Sequence, residues 1–128
     1  MARKRDEEMA DPGPRLKIQL RVGGGAIGPG KIQLLQCLDA EGGITAAAKA
    51  IGLSYRRDWY LIDTLNAALG QPVVETKVGG EGGGGAKLTP FGRELVARYY
   101  RVLRTVDDAT EPLLGWLGEI TCETAETD

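Results

Sequence analysis

The sequence predicts a mainly α-helical domain with a small β component: a winged helix-turn-helix with an extra N-terminal strand and a long C-terminal dimerisation helix. Three observations lead there. Residues 44–70, "ITAAAKAIGLSYRRDWYLIDTLNAALG", read as a short helix, a glycine turn and a longer helix. Two β-prone runs, "PVVETKV" and "KLT", enclose "GGEGGGGA", the pattern of a hairpin. After Pro90, Leu95, Val96, Tyr99, Val102, Leu103 and Val106 make an apolar helical stripe.

The elements follow in order. "RLKIQLRV" (15–22) puts Leu16, Ile18, Leu20 and Val22 on one face, as in a half-buried strand with a basic outer face. "GGGAIGPGKIQ" (23–33) comes next and contains G-x-x-x-x-G-K, formed by Gly25, Gly30 and Lys31. A nucleotide-binding loop needs Ser or Thr after that lysine to hold magnesium, and here stands Ile32. Pro29 also removes an N–H from a loop that works by offering them. Too little chain remains for the parallel sheet such a loop sits in. The glycines are instead expected to reverse the chain, and Pro29 to open the next helix. That helix carries Ile32, Leu34, Leu35 and Leu38 and stops at Gly42 and Gly43. Lys31 is then placed to meet a phosphate on DNA.

Ala46, Ala47, Ala48 and Ala50 let the next two helices cross closely. Ser54 reads as the N-cap of the second. An ordinary αα-hairpin fits the same pattern, but the short first helix and compact turn favour the DNA-binding version. In that version the start of the second helix enters the major groove. Arg56, Arg57 and Tyr60 are the base-contact candidates, since arginine can grip guanine O6 and N7 with two bonds. Ser54 is a phosphate candidate, and Thr45, Tyr55 and Thr64 complete the expected contact set on the two helices. A solvated helix face would carry the same arginines; their place just after the turn favours contact. Trp59 is expected in the core. Asp58 falls on the apolar side, where the helix dipole or an arginine would have to accommodate it. Lys77 and Lys87 flank the glycine tip of the hairpin, and Glu81 on that tip opposes phosphate contact. The helix from Phe91 to Val106, through Phe91, Leu95, Tyr99, Val102, Leu103 and Val106, is expected to build a homodimer.

The bulk numbers set limits on function. With 128 residues the chain is one domain's length, no apolar run reaches membrane-spanning length, and the first 14 residues lack a secretory apolar core. A cytoplasmic location is expected. There is no histidine and there are two cysteines, Cys37 and Cys122, without ligand spacing. Zinc sites and Ser-His-Asp or Cys-His catalysis are thereby excluded, and no metal, cofactor or enzymatic activity is expected. The net charge of −2 divides into +6 over residues 15–105, −7 over 106–128 and −1 over 1–14. A basic core suggests a polyanionic partner, although surface solvation explains the same charge. The expected layout is a flexible arm (1–14), a winged helix-turn-helix (15–106) and an acidic extension (107–128), partly helical and then disordered.

At about residues 15–105 the chain resembles the DNA-binding domain of ModE-type molybdate-responsive transcriptional regulators, a domain similar to the winged helix of LysR-type regulators. "SYRRDW" (54–59) with "LN" (65–66), and "GGEGGGGAKLT" (79–89), carry the resemblance most specifically. The resemblance implies a homodimer on a palindromic operator, with the helix from Ser54 in the major groove and the hairpin at 73–89 as the wing. In that family paired molybdate-binding domains follow. This chain ends soon after the match, so molybdate binding by it is not expected. Asp58 departs from the small residue the resemblance implies there. The reading is a sequence-specific DNA-binding regulator; a winged-helix protein-interaction module that works through its acidic tail is the alternative.

Overall fold

The computed structural model describes residues 13–77 and 85–126, with the side chains of Lys77 and of residues 122–126 outside the description. Most of the N-terminal arm, the glycine tip with Glu81, the last two residues and the Cys122 side chain therefore lie outside it. The elements are β1 (Leu20–Val22), β2 (Gly25–Ile27), α1 (Pro29–Glu41), α2 (Ile44–Ile51), α3 (Tyr55–Leu69), β3 (Val74–Lys77), β4 (Gly85–Leu88) and α4 (Pro90–Glu126). They divide into two compact units, residues 17–103 and the α4 residues from Arg104 on with the chain before Lys17.

The extra strand is shorter than expected and has a partner. β1 pairs antiparallel with β2, Leu20 opposite Ile27 and Val22 opposite Gly25. Gly23 and Gly24, at φ 54° and 81°, make the two-residue reversal between them. A Cβ on Gly23 would collide with the Ala68 carbonyl, so only glycine lets the turn lie against the end of α3. The expected burial of one strand face holds only in part. Ile18 packs against the core, while Leu20 and Val22 are exposed. An alternating pattern identifies a face, not whether anything covers it. Ile27, at the far end of the hairpin, takes the core position.

Glycines punctuate the helices that follow. Gly42, Gly52 and Gly70 all adopt the left-handed conformation and cap α1, α2 and α3. Pro29 is the first-turn residue of α1. Ile32, Leu34, Leu35 and Leu38 from α1 meet Ile44 and Ala47 from α2, and Ile62 and Leu65 from α3, in one core. Each such side chain contributes about 1.5–3 kcal/mol on burial. Ala47 and Ala48 form the close α2 face; Ala46 and Ala50 are exposed.

The wing is tied into this core. β3 and β4 pair antiparallel with Val74 opposite Leu88 and Glu75 opposite Lys87. Val73 is buried at its root, where its N–H donates to Asn66 Oδ1 at 2.9 Å and its carbonyl accepts from the Thr89 N–H at 3.0 Å. The Thr89 hydroxyl caps α4 by accepting from the Gly92 N–H and donates to the Pro72 carbonyl, each at 2.9 Å. A Cβ on Gly92 would run into the Val73 carbonyl oxygen.

α4 adds to the sequence reading at two points. It runs unbroken to Glu126, past Val106 and through Pro112. Pro112 deprives one carbonyl of its donor, and on the exposed stretch around Asp108 and Glu111 water can serve that carbonyl. Its stripe also serves the core of its own chain. Phe91, Leu95, Val96 and Leu103 pack on that core, and Tyr99 is buried in it with its hydroxyl donating to the Ile18 carbonyl at 2.9 Å. Val102 is exposed and Val106 half-buried. Among the described residues no helix is long and apolar enough to cross a membrane.

Candidate nucleic-acid interface

The site is built on α2, the turn at Gly52, and α3. Ser54 caps α3, its hydroxyl accepting from the Arg57 N–H at 3.0 Å, which fixes where the helix starts and which side chains point outward. About 100° per residue then places Ile62 and Leu65 inward and Arg56 and Tyr60 outward. Arg56 and Arg57 are both exposed, and Tyr60 is 56% exposed. The Arg57 guanidinium carbon lies 5.2 Å from the Tyr60 ring centroid, a cation–π contact that orders both side chains. Tyr55 is exposed and meets Trp59 edge-on at 6.3 Å; Trp59 packs against the core.

The other residues singled out from the sequence fall around this cluster. Thr45 is exposed in the first turn of α2. Thr64 is half-buried and its hydroxyl donates to the Leu61 carbonyl at 2.8 Å. Lys31 is half-buried, its ammonium donating to the Ala26 carbonyl at 2.8 Å. Lys87 is exposed on β4 and Lys77 ends β3, with its side chain outside the description. Glu75, directly across from Lys87, is a carboxylate on the wing that the sequence reading passed over.

Asp58 is the exception to the pattern of this helix. It is fully buried, and neither carboxylate oxygen has a hydrogen-bond partner. The pairing with a neighbouring arginine that the sequence allowed is not formed. Burial without a partner raises its pKa above the ordinary carboxylate value.

With this geometry the relatives become informative. The chain is 39% identical over 107 residues to the molybdenum transport protein ModE of Azotobacter vinelandii, covering 84% of this chain and 39% of that protein. By sequence, this chain is similar to the ModE proteins over the part of them it spans. It is 37% identical over 91 residues to the transcriptional regulator ModE of Yersinia pestis, covering 71% and 33% of the two chains. With the DNA-binding transcriptional dual regulator ModE of Escherichia coli K12 it shares 39% identity over 71 residues, 56% of this chain and 27% of that one. The chain thus spans less than half the length of these ModE relatives. No family model matches it. Among solved structures it is similar to the DNA-binding domain of CbnR in its complex with DNA, with a TM-score of 0.50 and 21% identity over 64% of this chain and 88% of that one. The fold is the winged helix-turn-helix.

Proposed function

We propose that this chain is a sequence-specific DNA-binding transcriptional regulator that acts in the cytoplasm as a homodimer on a two-fold symmetric operator, by binding and without catalysis. The observation that carries the reading is the outward cluster of Arg56, Arg57 and Tyr60 on the first turns of the helix-turn-helix's second helix. Such a helix enters the major groove by its N-terminal end. The similarity to ModE proteins named as transcriptional regulators supports it. Lys87 on the wing, with Lys77, adds a second basic element that can lie along the backbone.

The dimer reading moves along α4. The residues committed to the chain's own core leave Val102 exposed, and beyond it Val106, Ala109, Leu113, Trp116 and Ile120 repeat at alternating steps of three and four. That is the spacing of a two-helix seam. Leu113 and Trp116 are more than half exposed, as a seam awaiting a second copy would be. Two such subunits would present their α3 helices to half-sites about 34 Å apart.

The test is selection of bound fragments from a random duplex library. Enrichment of one site with two-fold symmetry is the expected result. Retention of unrelated sequences, or of none, would reject sequence-specific binding.

A further inference from the structure

Beside the base-reading cluster lies an open depression of about 460 Å³. Lys17, Lys31 and Arg57 reach it from three separate segments: the chain before β1, the first turn of α1 and the first turn of α3. Ile51, Leu53 and Leu61 supply apolar walls, and among the described residues no carboxylate lines it. Resting on the DNA-binding reading above, we propose that this depression seats one backbone phosphate of the bound duplex. Arg57 is then a positioning contact, and base reading falls to Arg56 and Tyr60.

Three features of the site support this division. A phosphodiester carries its charge on two oxygens and is held by several N–H donors arriving from different directions, as here. Lys31 has one of its three N–H groups fixed on the Ala26 carbonyl, which aims the ammonium and leaves two for a ligand. Arg57 lies in the wall of a concavity and against the Tyr60 ring, whereas a base edge in the major groove needs a side chain that protrudes. Arg56 is exposed and takes no part in the lining.

The experiment compares the selected operator with a scrambled duplex of equal length, for the full chain and its Lys17→Ala and Arg57→Ala variants, across a salt series. Both side chains are exposed, so the variants are expected to melt like the parent protein. Phosphate seating predicts that each variant weakens both duplexes by the same factor, roughly tenfold, the size of one charge-assisted hydrogen bond. It also predicts that each lowers the slope of log affinity against log salt by about one. Neutral methylphosphonates scanned along the operator should reveal one linkage per half-site whose substitution costs the parent protein more affinity than it costs either variant. A loss confined to the operator would make Arg57 a base reader and overturn the assignment. So would an unchanged salt slope. If the parent protein failed to distinguish operator from scrambled duplex, the fault would lie with the function proposed above.

Discussion

Replacing Asp58 with alanine should make the protein more stable, and more so at high pH than at low. The side chain is fully buried with both oxygens unpaired. An unsatisfied buried polar group costs about 1–3 kcal/mol, and more when charged. Two effects offset the gain. The positive end of the α3 dipole favours the carboxylate by about 0.3–1 kcal/mol, and removing three heavy atoms leaves a small void worth up to about 1 kcal/mol. Taking the middle of each range, a net gain of about 1 kcal/mol follows. For a unit of the size of residues 17–103, each kcal/mol moves the melting temperature by about 4–8 °C.

The pH dependence separates this cause from simple repacking. Burial raises the folded-state pKa of Asp58 above its unfolded value. The folded state therefore binds the proton more tightly, and stability falls as pH rises from the unfolded value through the folded one. Below both, the carboxyl is neutral in either state and the charge penalty vanishes. The variant lacks this group, so its advantage should be smaller near about pH 4 than near about pH 8. Thermal melts followed by circular dichroism at both pH values measure it. An Asp58→Ala protein that melts at or below the parent near pH 8, or whose advantage is the same at both, would refute the account. Since Asp58 faces inward, operator affinity should change little.

The remaining predictions concern the readout, the wing and the dimer. Arg56→Ala should reduce operator discrimination by about 1–3 kcal/mol at one base pair while leaving scrambled-duplex affinity nearly unchanged, as measured by titration against single-substituted operators. Gly92→Ala should destabilise the fold by about 1–3 kcal/mol, because the new methyl meets the Val73 carbonyl at the wing root; denaturant melts would expose the opposite result. Leu113→Lys with Trp116→Lys should yield a monomer by sedimentation and weaken operator binding, with circular dichroism unchanged. A dimer that persists would place the interface elsewhere.

Much of this architecture is legible in the sequence because its boundaries are set by local chemistry. Gly42, Gly52 and Gly70 end three helices by adopting a conformation that costs other residues energy, and Ser54 begins one with its own hydroxyl. Those four positions suffice to fix the helix pair and the outward direction of Arg56 and Tyr60. β2 was not legible. Gly25 and Ala26 disfavour strands, Ile27 alone favours one, and the three pair because the turn at Gly23–Gly24 carries them back along β1. Nor could the sequence show that Asp58 would find no arginine, since that depends on which way Arg57 turns, and Arg57 lies on Tyr60.

The apolar positions of α4 fall in two rows. Phe91, Leu95, Tyr99 and Leu103 step by four along one row, and that row packs on the core. Val102 stands about 60° to one side of Tyr99 on the helix, and from it a second row alternates steps of four and three to Ile120. A stripe read only to Val106 merges the rows, because they diverge little over so few turns. The merger matters for function: a dimer built on the first row would have to expose the Tyr99 that ties α4 to Ile18, whereas the second row can pair with a second copy and leave the winged core intact.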